Sequence, residues 1–192
     1  MFTCGDIDYM VQEFVNGYPL SYYIVNGKRF GEDEAVKIVA QLLEILTYLH
    51  EPEGRRHPVI HRDLRLSNIF WFENKAHVID FGMARYLTEK TGRPDTPPER
   101  KVVSIDRRRP GKRTYSGLRA EVSPWSDLFG AGVVTLDLFA NWIADEKEFK
   151  RPWQDIFPGS CRLKSFIEKM LLPEVQFVSA REALDHLEKM PS

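Results

Sequence analysis

The run from Leu128 to Ile143 constrains the fold more than any other part of this sequence, because it is almost wholly apolar. It is too long for an ordinary strand and shorter than the roughly 20 residues that a membrane-spanning helix needs. We therefore predict a helix that is buried on most sides. Such a helix requires other helices around it, so the chain must form a globular, helix-rich unit.

Three further segments predict helices. From Asp33 to Leu49, apolar residues recur at helical spacing and define one buried face. A second helix is predicted over Leu163–Leu172, and a third begins at Ser179, where Glu182 completes a capping-box pattern. The apolar residues of the first segment are Ala35, Ile38, Val39, Leu42, Leu46 and Leu49.

The predicted strands are few and short. Tyr9–Phe14 predicts one N-terminal strand with an open edge, and Ile69–Phe72 with Ala76–Ile79 predicts a small hairpin around a polar turn. Residues 85–125 show little periodicity and predict a long loop. The expected fold class is α+β but mainly α, namely a helical lobe with a small β-hairpin and one short N-terminal strand.

Composition excludes several classes of protein. The 192 residues correspond to one domain, and 27 Lys and Arg against 28 Asp and Glu give a net charge of -1, which argues against a nucleic-acid partner. Two cysteines cannot form a disulfide framework and fit a reducing compartment. The N-terminal stretch carries Asp6 and Asp8 instead of a basic signal-peptide start, and no segment predicts a membrane span. We therefore expect a cytoplasmic protein.

Two short motifs carry the candidate chemistry. Residues 61–68 read HRDLRLSN, and residues 80–82 read DFG. Either string could arise by chance, but both together, in order and across a predicted hairpin, are far more specific. The pair resembles the catalytic loop and metal loop of the protein kinase family, here of the bacterial Hanks-type Ser/Thr kinases.

The resemblance implies transfer of the γ-phosphoryl group of ATP to a protein hydroxyl, with Ser/Thr expected. Asp63 would be the catalytic base, and Asn68 and Asp80 would hold Mg²⁺ through their oxygens. Arg65 occupies the position near the γ-phosphate where Ser/Thr kinases usually carry Lys. Some tyrosine kinases carry Arg there, so Arg65 leaves the tyrosine alternative open.

The resemblance extends to the nucleotide pocket and the buried helix. Residues 9–17 resemble the last strand of the N-terminal lobe and the hinge, which implies that the backbone of Glu13 and Val15 binds adenine. Phe70 would form the floor beneath the base. In the family, the residue equivalent to Asp127 bonds the catalytic-loop backbone.

The family's N-terminal lobe has no counterpart in these residues. The twelve glycines contain no G-x-G-x-x-G, and the phosphate-binding Lys and its Glu partner would lie upstream of the hinge. The resemblance therefore implies one partial domain over residues 1–192, with a hinge at 9–17 and an activation segment at 80–121. An upstream segment or a partner chain would supply the other lobe. Val11, Ile69 and Phe70 are then expected to be exposed.

The activation segment departs from the family pattern. The family closes it with A-P-E, whose Glu pairs with an Arg near the end of the domain; here Glu121 lacks the preceding Pro, and Gln176 replaces the Arg. From Arg85 to Arg119, eleven Lys and Arg face four acidic residues. This basic stretch could bind an acidic substrate, a nucleic acid or an anionic membrane. It could also hold a phosphorylated residue of the same loop with Arg62, which would make autophosphorylation possible. A solvated loop is the alternative.

Two other functions compete with the protein kinase. A catalytically inactive kinase-like binding or regulatory module is favoured by the missing lobe. A small-molecule phosphotransferase of the same fold is the second alternative, but Arg62 and the basic loop favour a protein substrate.

Overall fold

The computed structural model describes residues 2–4, 7–9, 11–52, 54, 57–87, 122–145, 147–172 and 177–190. The strands are β1 (Phe2–Cys4), β2 (Ile7–Tyr9), β3 (Tyr18–Pro19), β4 (Val59–Ile60), β5 (Ile69–Phe72), β6 (Lys75–Val78) and β7 (Arg85–Tyr86). The α-helices are α1 (Leu20–Val25), α2 (Glu32–His50), α3 (Pro124–Leu138), α4 (Trp153–Ile156), α5 (Cys161–Leu171) and α6 (Ala180–Glu188). Short 3₁₀ turns cover Leu66–Asn68, Phe81–Met83, Ala140–Trp142 and Glu148–Lys150.

Helix α3 is the buried helix that the apolar run predicts, and it packs against α2 and α5. Its bounds differ from the prediction at both ends. It begins at Pro124, whose missing N–H costs nothing in the first turn of a helix. It ends at Leu138, and the predicted last turn is a 3₁₀ turn in which Asn141 donates hydrogen bonds to the carbonyls of Ile24 and Lys28.

Helices α2 and α6 confirm the amphipathic predictions. The apolar face of α2 is buried from Ala35 to Leu46 and packs against α3 and α6. At the start of α6, the Ser179 hydroxyl accepts a hydrogen bond from Glu182 N at 3.2 Å. The Glu182 carboxylate accepts a hydrogen bond from Val178 N at 2.6 Å. The predicted capping box is therefore present, but Glu182 bonds the residue before Ser179 instead of Ser179 itself.

Helices α1 and α4 were not predicted, because six and four residues are too short to show a period of 3.6. The expected strand at Tyr9–Phe14 is wrong from Val11 onward, because residues 11–16 have no regular structure; β2 ends at Tyr9. A turn closed by Gly17 N donating to Val15 O replaces the extended pairing. The expected unpaired N-terminal strand is also wrong, because β2 pairs with β1 in an antiparallel register.

The predicted hairpin is β5–β6, and β3 extends it to three strands. Gln41 of α2 holds its turn by donating to Asn74 O and accepting from Ala76 N, both at 2.9 Å. Gly17 lies so close to β5 that an added Cβ would sit 2.8 Å from Phe72 Cβ, which explains the absence of a side chain there. None of the helices in the described ranges has the length and apolar content needed to cross a bilayer.

Burial corrects one expectation about the cleft. Ile69 is fully buried in the core, because the inward side of β5 faces the helices, so the expected exposure of Ile69 is wrong. Phe70 is half-buried, so its expected exposure is only partly met, whereas Val11 is 73% exposed, as expected.

Candidate active site

The predicted catalytic loop leaves β4 at Ile60 and closes on itself through Asp63 and Asn68. The Asn68 side-chain amide donates to Asp63 O at 2.9 Å and to Asp63 Oδ2 at 3.1 Å. Arg65 approaches the same carboxylate oxygen at 3.1 Å from a half-exposed position. Asp63 and Asn68 are only 4% and 5% exposed, so the loop builds a buried, polar cluster with one half-exposed cation at its rim.

Asp127 fixes the backbone that leads into this cluster. Its side chain is fully buried at the start of α3, where it accepts from His61 N at 2.8 Å and from Arg62 N at 2.7 Å. The bond to the catalytic-loop backbone implied by the resemblance is therefore present. Arg62 has φ of 68°, a left-handed conformation that costs about 1–3 kcal/mol in a residue other than glycine. The two hydrogen bonds to Asp127 offset this strain.

His61 connects the catalytic loop to the segment that follows the hairpin. Its Nδ1 lies 3.3 Å from Asp63 N, and its Nε2 lies 3.1 Å from Ile79 O. Because a backbone N–H only donates and a carbonyl only accepts, the ring carries its hydrogen on Nε2. The ring also meets Phe81 edge to face, with centroids 4.8 Å apart.

The hairpin brings Asn68 and Asp80 to the same end of the site. Ile69 pairs with Val78, and Ile79 N donates to Asn68 O at 2.9 Å, so the two residues flank the open end of the β5–β6 ladder. Asp80 is exposed and left-handed, with φ of 64°, and its Oδ1 accepts from Gly82 N at 3.2 Å. A tight 3₁₀ turn thus presents this carboxylate to solvent.

The donor set at this end fits a hard divalent cation. The amide nitrogen of Asn68 is bonded to Asp63, so the side-chain carbonyl oxygen of Asn68 is the potential ligand. Among the described residues, the Ser67 hydroxyl contacts this oxygen at 3.3 Å. Asp80 keeps a second carboxylate oxygen beyond the one bonded to Gly82. Within the described ranges, no group of three or more His, Cys, Asp or Glu could hold a metal. Two protein oxygens completed by phosphate and water are the usual environment of Mg²⁺.

The residues expected to bind adenine lie on two segments, the irregular stretch before Gly17 and strand β5. Glu13 is exposed and Val15 half-buried in the irregular segment before Gly17. Phe70 is on β5, and its partner across the ladder is Pro19 of β3. Gly17, Tyr18 and Pro19 therefore run next to the strand that carries Phe70.

Several predicted features lie outside the described residues. These include Glu121, Gln176 and the basic stretch after Leu87. The first residue of the basic stretch, Arg85, is described and lies exposed on β7. Arg62, the expected phosphate anchor, donates from a guanidinium nitrogen to Met83 O at 3.2 Å.

Sequence reasoning missed His50. This residue is the last of α2, is 7% exposed, and places Nε2 at 2.8 Å from Asp127 Oδ2. The signal was its position four residues after Leu46 on the buried face of the helix, where a histidine needs a polar partner.

The protein kinase domain model matches residues 1–187, which is nearly the whole chain. The chain belongs to the protein kinase family. It is 27% identical to serine/threonine-protein kinase F of Synechocystis sp., over 92% of this chain and 35% of that protein. It is 27% identical to calcium/calmodulin-dependent protein kinase type 1 of Caenorhabditis briggsae, over 93% of this chain and 51% of the relative.

A third relative is the probable serine/threonine-protein kinase PknB of Lactococcus lactis, 28% identical over 70% of this chain and 20% of that protein. The chain thus spans about half the length, or less, of these curated relatives.

Proposed function

We propose that this chain is part of a protein kinase that transfers the γ-phosphoryl group of ATP to a Ser or Thr hydroxyl of a protein. The observation that supports this most is the cluster of Asp63, Asn68 and Arg65, with Asp80 at the same end of the hairpin. Phosphoryl transfer requires an oriented hydroxyl and neutralised phosphate charge, and this cluster offers one group for each task.

Asp63 would accept the proton of the substrate hydroxyl and orient its oxygen. Its carboxylate is held by Asn68 and Arg65, which keeps it in one orientation before substrate arrives. Arg65 is half-exposed, so its guanidinium can leave Asp63 Oδ2 and approach an incoming phosphate. Its charge would then stabilise the transferring group.

Asn68 would hold Mg²⁺ through its side-chain carbonyl oxygen and Asp80 through its carboxylate. The backbone of Glu13 and Val15 with the ring of Phe70 would bind adenine. Mg²⁺ supplies charge neutralisation at the phosphates when it is bound. In this proposal residues 9–17 form the hinge and residues 80–121 the activation segment. A partner or another segment supplies the N-terminal lobe, and the protein works in the cytoplasm.

The test is transfer of labelled phosphate from Mg·ATP to the chain itself or to casein. Asp63→Asn keeps size and hydrogen-bonding capacity but removes the base, so we expect a loss of at least about 100-fold. Asp155→Asn, an exposed acid on α4, is the matched control and should retain activity. Equal labelling by wild type and Asp63→Asn would exclude this function.

A thermal-unfolding measurement separates the alternatives. We expect Mg·ATP to raise the melting temperature of wild type and not of Asp80→Ala, since a ligand of the native state stabilises it. A melting shift without phosphate transfer would support the inactive, kinase-like module. Label found only in an added aminoglycoside or sugar would support a small-molecule phosphotransferase.

A further inference from the structure

We propose that the outward side of helix α1 is a dimerisation surface, on which a second copy of this chain docks across a two-fold axis. This surface, called the α1 face, consists of Tyr18, Tyr22 and Val25. Dimerisation through this face is independent of the proposed function, so it can be measured without phosphate transfer.

Helix α1 has two apolar sides, whereas a helix on a protein surface usually turns a polar side toward water. Its inward side carries Leu20, which is fully buried, and Ile24, which packs against the core. Its outward side carries Tyr22 and Val25, which are 45% and 85% exposed, and Tyr18 just before the helix is 55% exposed. A contiguous exposed apolar surface of this kind marks an interaction site.

The tyrosine rings of the α1 face are held in place before any partner arrives. The rings of Tyr18 and Tyr22 stack with centroids 4.3 Å apart and an interplanar angle of 17°. Tyr23 meets both rings edge to face and donates from its hydroxyl to Trp71 O at 3.4 Å. Ordered aromatic rings lose little conformational entropy when they are covered, which favours association.

The absence of charge on the α1 face favours contact with a second copy. Residues 14–27 contain no Lys, Arg, His, Asp or Glu. In an isologous contact the same surface meets itself, so charges near the axis would repel their own counterparts. A surface without charges avoids this repulsion, and the centres of interfaces are depleted in charged residues for the same reason.

The charges that flank this stretch are complementary. Glu13 precedes it, and Lys28 and Arg29 follow it. Lys28 is paired with Glu34 at 2.8 Å, whereas Arg29 donates from Nε to a neutral group, Asn141 O, at 2.8 Å. A two-fold axis perpendicular to α1 pairs the two helices antiparallel. Glu13 of one copy then approaches the Arg29 end of the other copy at both edges of the contact.

The α1 face fits a membrane less well than it fits a second copy. Helices that lie on membranes carry Lys and Arg along a polar side that stays in water. Helix α1 carries neither, and its other side is buried in the core of the protein.

The size of the α1 face predicts a weak dimer. Phe14, in the irregular segment that leads to β3, adds a side chain that is 86% exposed. Covering an aromatic side chain removes about 150–250 Å² from water, so Phe14, Tyr18 and Tyr22 with Val25 offer on the order of 400–500 Å² per copy at their exposed fractions. Stable interfaces bury about 800 Å² per partner, so we expect a dimer that dissociates on dilution.

The first test is sedimentation equilibrium of the whole chain from about 1 to 100 μM, which covers the range of weak complexes. We expect the average mass to rise toward twice that of the monomer. Tyr22→Lys should raise the dissociation constant at least about tenfold. Tyr48→Lys, which replaces a 63% exposed tyrosine of α2, is the matched control and should dimerise as wild type does. A wild type that stays monomeric, or equal dimerisation of Tyr22→Lys and wild type, would overturn the proposal.

A mixing experiment tests the two-fold arrangement. Tyr22 is the central residue of the α1 face, so the axis sets this position against itself. We expect Tyr22→Lys and Tyr22→Glu each to be monomeric alone and an equimolar mixture of the two to associate, because Lys then meets Glu. Circular dichroism checks that both variants are folded. Failure of the folded mixture to associate would exclude a contact centred on Tyr22.

Nitration of Tyr22 by tetranitromethane separates the other occupants. We expect Tyr22 to be protected at high protein concentration and reactive on dilution. Protection at every concentration would mean that a segment of the same chain covers the α1 face. A wild type that stays monomeric but sediments with phosphatidylglycerol vesicles would assign the face to a membrane. Either result would refute dimerisation through α1.

Discussion

Asn68 donates from one amide nitrogen to two oxygens of Asp63, the backbone carbonyl at 2.9 Å and the carboxylate at 3.1 Å. These contacts link two residues that are five apart in the chain. The candidate base Asp63 and the candidate metal ligand Asn68 therefore hold each other in position. The Asp63–Asn68 contacts lie within one loop, whereas Asp127 of α3 holds the backbone that leads into that loop.

We expect Asn68→Ala to lower the free energy of unfolding by about 1–3 kcal/mol, because the buried Asp63 carboxylate loses a donor. Urea denaturation measures this change. Ser67→Ala is the control, since the Ser67 hydroxyl is partly exposed and makes only a 3.3 Å contact, and it should change stability by less than about 0.5 kcal/mol. Equal effects of the two substitutions would contradict the prediction.

Gly130 allows α3 to touch the catalytic loop. A Cβ at this position would lie 2.9 Å from Leu64 Cβ, so Gly130→Ala forces the helix and the loop apart. Although Ala favours a helix over Gly, we expect a net loss of about 1–3 kcal/mol of stability. Thermal unfolding and urea unfolding both measure this loss of stability, and both should show it.

The control for this substitution is Gly31→Ala at the start of α2, where nothing lies within 4 Å of the added carbon. It should cost less than about 1 kcal/mol. A Gly130→Ala protein as stable as wild type would contradict the prediction, because it would mean that the catalytic loop moves away from α3 at no cost in free energy.

Asn141 holds the turn after α1 to the end of α3. Its side-chain amide donates to Ile24 O at 2.7 Å and to Lys28 O at 2.9 Å. We expect Asn141→Ala to lower the free energy of unfolding by about 1–3 kcal/mol, because both carbonyls lose a partner. Asn26→Ala, which removes one exposed contact to Tyr22 O, should have a smaller effect.

Stability should depend on pH through Glu34. Its hydrogen bond to Lys28 at 2.8 Å lowers the pKa of the Glu34 carboxyl below its ordinary range. A lowered folded-state pKa contributes stability above the ordinary pKa, and this contribution is lost as pH falls through the lowered value. The pair is exposed, so the gain near neutral pH is below about 1 kcal/mol.

The measurement compares the unfolding free energy of wild type with that of Glu34→Gln as pH falls from 7 into the acid range. We expect the difference to vanish in acid, where a protonated Glu resembles Gln. A difference that stays constant with pH would exclude the ion pair as its source.

Local patterns in the sequence were enough to predict the elements that have a long apolar period or a distinctive motif. The period of apolar residues predicted α2, and the Ser179–Glu182 spacing predicted the start of α6. The hairpin followed from two apolar runs around a polar turn, whose Glu73 and Asn74 indeed adopt positive φ. Asp63 and Asn68 are also close along the chain, which is why a short motif is enough to predict that they lie together.

Features that depend on residues far apart in the chain could not be predicted from local patterns. The six-residue α1 has too few turns for a period, and it is held partly by Asn141. The burial of Ile69 depends on which side of β5 meets the helices. The partner of His50 lies 77 residues further along the chain, so no local pattern could pair them. The catalytic and metal-binding roles of individual residues stay predictions.

The two contacts of Gln41 with the hairpin turn have a mechanical consequence. Gln41 fixes β5–β6 to the middle of α2, and His50 fixes the end of α2 to α3. Helix α2 is therefore connected to the hairpin at its middle and to α3 at its end. Bending within residues 11–16, which have no regular structure, would leave both of these connections intact.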